Sequence, residues 1–457
     1  MTGRISILLG AGASRPFFKQ RHEDLSTATI CKNVLDENSW EKIVERYNQA
    51  KARPGYDTLR ANISAHEVST FLRSFSRVLA QSKYLDTINF EFYVQALDRL
   101  ASVYRRGEDQ ITDPDSALFF VRREKHFQKH EIQPRFDFGF ENTHPGGFHY
   151  LPYLIREIIA SVIIAFQQHS DKKQYARGKR LFENFLQKIQ TVSKGFDIIS
   201  LNYDPLISEV TNNIGEIVSG FDETFNEVEF LEATNTVSYL HGHIGFVPLG
   251  LNAHKDFYFY DDYEQAQEVR FERLFVGHKE TQIFDHPDVG INYNSFLTSG
   301  TNKIDSFGRN PYSAYYSRFV ESISESELII VMGLSLNEIH LETFLRNMFV
   351  LNKIQKGIRT KVIFVDLKSE REAQQIIKKR RLPDNLFARL RIIFSDKITT
   401  KPRLDVFEAL REFKANFINE LRNRGFGRLS NNIIYYSKGV EGFLQEFETV
   451  LKRIESD

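Results

Sequence analysis

The sequence contains a single cysteine, Cys31, so no disulfide forms within the chain and no zinc site can be built from paired thiolates. It carries no excess charge of either sign, since 60 Lys and Arg face 60 Asp and Glu. A protein whose main partner is a nucleic-acid backbone needs a basic surplus, so no direct nucleic-acid binding is expected. Long apolar runs are missing too. The run Leu154–Phe166 is interrupted by Arg156 and Glu157 and reads as a core helix. The stretch MTGRISILLG has one basic residue and an apolar run too short for a signal peptide, which predicts a cytoplasmic protein without membrane association. Internal repeats and low-complexity segments are absent.

What is present suits a large folded core. The chain has 457 residues, 41% hydrophobic, with 40 Phe and 19 Tyr, enough for two or three domains. Short apolar runs stand out at Ile5–Leu9, Phe196–Leu201, Val237–Leu240, Leu328–Met332, Val362–Val365 and Leu390–Phe394. Most are continuous, as in parallel strands buried on both faces, and helical patterns lie between them. The expected fold class is therefore α/β, a doubly wound, Rossmann-type parallel sheet. The gap between the first two runs far exceeds one crossover connection. It holds helical patterns at His66–Ala80, Phe90–Tyr104, Tyr153–Gln168 and Gln174–Val192, with a loop or lid over Arg105–Gly147. This predicts a discontinuous nucleotide-binding domain over 1–14 and 196–400, a mainly helical insertion over 15–195, and a helical tail over 401–457 broken at GFGRLSNN. A second, aromatic and acidic insertion, Gly250–Lys303, is expected to be partly irregular.

Chemistry gathers at the ends of four of these runs. Leu8-Leu9-Gly10-Ala11-Gly12-Ala13-Ser14 places closely spaced glycines where a strand turns, so a pyrophosphate could approach backbone N–H groups and Ser14 could add a hydroxyl. A plain tight turn that needs glycine is the competing reading. The dinucleotide fingerprint G-x-G-x-x-G is not present, because Pro16 and Phe17 follow. Leu201-Asn202-Tyr203-Asp204 puts polar groups where open α/β sheets bind ligands, although Asp204 before Pro205 equally suits a helix cap. Leu240-His241-Gly242-His243 offers an imidazole as a base near neutral pH, with spacing unable to choose between His241 and His243. Met332-Gly333-Leu334-Ser335 suits a ribose or phosphate contact, and Glu338 a first-turn charge favoured by the helix dipole.

In this order, GAGAS, LNYD, LHG and GLS resemble the sirtuin superfamily, and most closely the bacterial sirtuin-like domains of antiphage systems. The resemblance covers Ile5–Ser14 and Phe196 to about Asp366. Asn89-Phe90-Glu91, and Lys303 ahead of Pro311-Tyr312, also look like elements of the bacterial group. It implies that Gly10, Ala11, Gly12 and Ser14 cradle the phosphates of NAD⁺, taken as substrate. Asn202 would hold the nicotinamide-side ribose or orient a water, with Asp204 supporting that loop. His241, directly before glycine, would be the general base. Gly333 and Ser335 would contact the adenosine side, and Asp366 would face the adenine ribose. The departures are equally specific. The deacylases' four-cysteine zinc module has no counterpart, Arg15-Pro16-Phe17-Phe18 replaces their Gly-Ile-Pro-x-Phe-Arg stretch, and Leu201 stands where they have Gln.

The resemblance thus implies a metal-free NAD⁺ hydrolase releasing nicotinamide and ADP-ribose, used as an abortive-infection effector, and not a deacylase. The rival expectations are a non-enzymatic NAD⁺ or ADP-ribose sensor, and an ADP-ribosyltransferase. A separate activating partner is expected, whether a nucleotide-binding protein, an ATPase or an Argonaute-like protein, within a homo- or hetero-oligomer.

Overall fold

The computed structural model describes residues 3–20, 23–52, 64–80, 94, 151–222, 224–248, 257–273, 296–298, 310–334, 339–351, 360–367, 372, 375, 386–393, 417–430 and 432–456. The strands among them are β1 (Arg4–Leu9), β2 (Lys19–Gln20), β3 (Glu23–Asp24), β4 (Gly195–Ser200), β5 (Thr236–Tyr239), β6 (Phe246–Pro248), β7 (Phe257–Phe259), β8 (Ser326–Met332), β9 (Lys361–Val365), β10 (Phe426–Ser430) and β11 (Ile433–Tyr436). Seven form one sheet in the order β10-β11-β9-β8-β1-β4-β5. Every pairing in it is parallel except β10 with β11. The protein is thus α/β with a mostly parallel, mixed sheet. Its central strands are buried along nearly their whole length, which is why they read as continuous apolar runs.

From β1 the chain adds β4 and β5 on one side, then crosses to β8, β9 and β11 on the other. The strand order reverses between β1 and β8, the crevice where open sheets of this kind take ligands. Helix Tyr312–Glu325 packs along β5, β1 and β4. It is fastened there by polar groups: Arg318 donates to Asp197 on β4 (2.9 Å), and the Ser322 hydroxyl bonds that of Ser6 on β1. Asp197 also takes Arg4 and Thr236, so this fully buried carboxylate is paired and hydrogen-bonded on all sides. Helix Lys172–Val192 packs on β4 and on helices Leu206–Ile214 and Gly439–Ser456, with Phe185 set edge-on to Phe447.

Before β4, helices Thr27–Leu35, Glu37–Lys51 and Ala65–Ala80 pack on one another, and the first two also on helix Leu151–His169. The apolar run of that last helix is indeed a core helix, and no described helix is long and apolar enough to cross a membrane. The expected helix Phe90–Tyr104, Val94 aside, and the stretch Arg105–Gly147 lie outside the described residues, as does Asn89-Phe90-Glu91.

Two expectations are corrected. The described part of the run Leu390–Phe394 is no strand; Leu390–Ile393 belongs to helix Leu386–Ile393, in which Phe387, Leu390 and Ile393 are buried. The tail is not purely helical, because the break at GFGRLSNN is β10, which pairs with β11. The segment IIYY has the β-branched and aromatic composition that a half-buried strand favours, and it extends the sheet beside β9 before helix Gly439–Ser456 begins. The second insertion is ordered where it is described: Phe257–Phe259 pairs with β6, and helix Tyr263–Arg273 follows.

A buried ion pair joins that insertion to the earlier helices. Arg270 and Glu157 are both fully buried and bonded in bidentate fashion, at 2.8 and 3.1 Å. Arg270 also donates to the carbonyls of Ile244 (2.7 Å) and Phe246 (3.1 Å) and lies over the Phe296 ring. Removing one member of such a pair costs about 3–5 kcal/mol, since the other charge is left buried alone. Arg270→Ala should therefore lower the unfolding midpoint sharply in a denaturant titration. The double variant Glu157→Leu/Arg270→Met should not recover it, because two carbonyls lose their donor; full recovery would show that the pair acts alone.

Candidate functional site

The carboxyl ends of the central strands are level. Leu9 is registered with Ser200 and with Met332, Ser200 with Tyr239, and Met332 with Val365. The ladder runs one step further, through Gly10 N–H to Met332 O, Leu201 N–H to Leu9 O, Leu240 N–H to Ser200 O and Gly333 N–H to Val365 O. Beyond it the chains part. Gly10, Asn202, His241, Gly333 and Asp366 each stand one or two residues past a strand end, in one row along the sheet edge. Asn202 and His241 are each two residues past a registered pair, on neighbouring strands. Both are buried.

At the β1–β8 crevice the glycines meet each other. A Cβ on Gly10 would stand 2.7 Å from Gly333 O, and one on Gly12 would stand 2.8 Å from Gly333 Cα. Gly333 itself has φ +64°, and a side chain there would overlap the backbone of Gly12 and Ala13. Gly12 N–H donates to Gly333 O at 2.9 Å, locking the two turns together. These glycines are therefore required by chain packing, whatever ligand lies above them. The helix they open, Ala11–Ser14, is a single turn in which Ala11 is exposed and Ser14 buried.

Ser14 reaches the second motif. Its hydroxyl donates to Asp204 Oδ2 at 2.5 Å and accepts from Asn202 Nδ2 at 3.2 Å. Asp204 Oδ1 accepts from Leu206 N–H at 3.2 Å, the capping contact expected at the start of helix Leu206–Ile214. Burial pushes the Asp204 carboxyl up to about 6, against the opposing pull of the Ser14 and Leu206 hydrogen bonds. Asn202 Oδ1 is buried with no hydrogen-bond partner among the described residues. A native side-chain acceptor left in that state calls for an explanation, and a bound ligand is one.

The two histidines differ completely in their surroundings. His243 Nδ1 accepts from Gly245 N–H at 3.0 Å, which puts the ring proton on Nε2, facing Ser208 Oγ at 3.1 Å. Tyr239, Phe246, Phe259 and Tyr263 surround the ring. Burial, and then the charge of Arg270, lower its pKa to about 3. His243 is a neutral core side chain with no nitrogen lone pair to spare. His241 sits on the other side of Gly242, whose φ of +90° turns the chain between them, with its ring 6.2 Å from that of Tyr203. A strap of residues 296–298 clamps this turn. Thr298 N–H donates to His241 O, His243 N–H to Phe296 O, and Tyr203 Oη to Thr298 O. Arg156 donates to Leu297 O at 2.9 Å, and Tyr312 Oη to Phe296 O.

Gly10, Ala11, Gly12, Ser14, Asn202, Asp204, His241 and Gly333 thus come to one stretch of the sheet edge. Asp366 follows β9, one strand beyond Gly333. Its Oδ1 accepts from Leu367 N–H and its Oδ2 from Tyr435 Oη, so it also ties β9 to β11. Ser335, Glu338 and Lys303 lie outside the described residues. Sequence reasoning missed Arg156, Tyr203, Thr298 and Tyr312 as supports of the histidine turn. The one available signal was the charged pair Arg156-Glu157 inside an otherwise apolar helix. Among the described residues, no group of three or more His, Cys, Asp or Glu is arranged to hold a metal ion. No family model matches the chain, and neither does any curated protein.

The Asp204 shift has a definite sign. A carboxyl at about 6 in the folded protein, and at 3.8 when unfolded, makes the fold bind its proton first. Stability is then lost as pH rises from about 4 to 6 and regained on acidification. Between pH 7.5 and 4.5 the stability of the protein relative to Asp204→Asn should rise by about 2 kcal/mol. Urea titrations at both pH values read this gap; a constant gap would mean that the carboxyl titrates as in the unfolded chain.

Proposed function

We propose that the protein is an NAD⁺ hydrolase that cleaves the nicotinamide–ribose bond to give nicotinamide and ADP-ribose. The observation that carries this reading is the placement of Asn202 and His241. Both are buried side chains on neighbouring strand ends, beside a glycine crevice at the point where the strand order reverses. Gly10, Gly12 and Gly333 commit their N–H groups to neighbouring carbonyls, so the exposed Ala11 is the part of the turn offered to a pyrophosphate. The orphaned Asn202 Oδ1 accepts a ribose hydroxyl or orients the attacking water. Water then attacks C1′ as the bond to the pyridinium nitrogen breaks, and its proton passes to His241. Nicotinamide leaves neutral, so no general acid is needed. His243, with both ring nitrogens engaged, leaves the base role to its neighbour.

Such an enzyme drains a pool on which its own cell depends, so the proposal includes control by a separate activating partner in an antiphage effector. Ser335 and Asp366 belong to the proposed adenosine side. The reading includes no metal and no lysine deacylation.

The test is chromatography of NAD⁺ incubated with the activated protein, mixed with its partner, and measurement of the NAD⁺ pool in cells expressing both. Nicotinamide and ADP-ribose should appear in equal amounts. Dominant cyclic ADP-ribose would make it a cyclase, and binding without turnover a sensor. Removing a general base typically costs about 10²–10⁴ in rate. His241→Ala and Asn202→Ala should each lose at least that much with an unchanged melting temperature. His243→Ala should lower the melting temperature, since it empties an aromatic cage. A stably folded His241→Ala protein with the parent rate would overturn the assignment.

A further inference from the structure

Ser14 stands between two groups that make opposite demands on its hydroxyl. That hydroxyl has one proton and two lone pairs. The ionised Asp204 carboxylate can only accept, and at 2.5 Å it takes the proton. Only lone pairs remain for Asn202, so the amide must present Nδ2 to Ser14, at 3.2 Å. Oδ1 is thereby turned away from Ser14, and it is this oxygen that is buried without a partner among the described residues. A flipped amide would set Oδ1 against a hydroxyl with no proton left to give. Asn202 N–H, bonded to Ser200 Oγ at 3.2 Å, anchors the backbone of the same residue.

We infer that Ser14 and Asp204 are positioning residues that fix the amide of Asn202, with its oxygen held as a ready acceptor for a hydroxyl-bearing ligand. Ser14 is on this account no phosphate ligand. Its proton is committed to a carboxylate, and that buried negative charge would repel a phosphate brought against the hydroxyl. The phosphates are left to the backbone of the glycine turn, and the cluster faces the sugar. An amide oxygen fixed before binding carries no ordering cost when the ligand arrives. The identity of the ligand rests on the hydrolase reading; the orientation of the amide does not.

Two measurements separate these. ADP-ribose binding by calorimetry should weaken about tenfold in Ser14→Ala, one hydrogen bond's worth. It should stay within about threefold in Ser14→Thr, which keeps the hydroxyl. In the Asn202→Ala background, Ser14→Ala should cost nothing more, because the residue it positions is gone. Equal losses in both backgrounds would make Ser14 a direct ligand contact and overturn the inference. In ligand-free protein labelled with ¹⁵N at asparagine, the Asn202 side-chain amide is identified by its disappearance in Asn202→Ala. One of its protons should exchange slowly in the parent and in Ser14→Thr, and fast in Ser14→Ala. Ser14→Cys, nearly isosteric but a weak hydrogen-bonding partner, replaces Ser14→Ala should the latter not fold. Unchanged exchange on loss of the hydroxyl would overturn the positioning role. If the parent binds no ADP-ribose, the exchange experiment alone decides on the relay, and the hydrolase reading is decided by turnover of NAD⁺.

Discussion

The backbone contact between the turn after β1 and the turn after β8 governs everything built on the sheet edge. Gly12 donates to Gly333 O, and neither chain leaves room for a Cβ on the other. Two parallel strands that separate to opposite sides of a sheet ordinarily diverge at their ends. Here they remain in van der Waals contact for a further turn, which sets the floor of the crevice at a single height. Because Leu9 is registered with both Ser200 and Met332, that height is passed on to the polar loop after β4. Ser14 can therefore meet Asn202 and Asp204, residues nearly two hundred positions away in sequence.

The histidine turn is held by a different kind of force. Between His241 and Phe246 the chain turns sharply, and some of its carbonyls would be buried without partners if nothing met them. Arg270 supplies donors to Ile244 and Phe246, and the strap 296–298 engages both the N–H and carbonyl groups around His241. Both supports lead back to adjacent residues of helix Leu151–His169: Glu157 pairs Arg270, and Arg156 holds Leu297 O. The region before β4 is thereby part of the site's framework, and a change in the packing of that helix would be felt first at the histidine turn.

The sequence made the parallel strands legible because strands buried on both faces are largely apolar, as in ISILL and LIIVM, with the few polar residues such as Asp197 paired inside. It also exposed the motif ends, since glycine and polar residues stand out straight after such runs. The run Leu390–Phe394 was misread because a short apolar run contains no period decisive enough to separate helix from strand. The pair β10–β11 was missed for the opposite reason. Glycines and asparagines obscured β10, which pairs with β11, itself held beside β9. His241 and His243 are indistinguishable in sequence, because what separates them is tertiary: Ser208 Oγ and Gly245 N–H engage the two nitrogens of the His243 ring, whereas the His241 ring lies across Gly242 beside Tyr203. The partners of Ser14 were invisible for the same reason.

Asp204 shows how stability and chemistry oppose each other here. Burial makes its charge unfavourable, lifting the carboxyl to about 6, and a neutral asparagine or an apolar residue would ease that cost. Yet the charge is what makes Asp204 an obligate acceptor. A neutral amide at position 204 could take the Ser14 proton or give one of its own, and the orientation of Asn202 would no longer follow. A carboxylate in the same place leaves a single arrangement. The fold tolerates the ionised group because Ser14 and the Leu206 N–H each satisfy one of its oxygens. Near neutral pH the carboxyl is mostly ionised with little margin, so the hydrogen bonds that moderate its burial are also the ones that aim Asn202. Stabilising the fold by neutralising Asp204 would therefore remove the constraint that leaves one buried acceptor open.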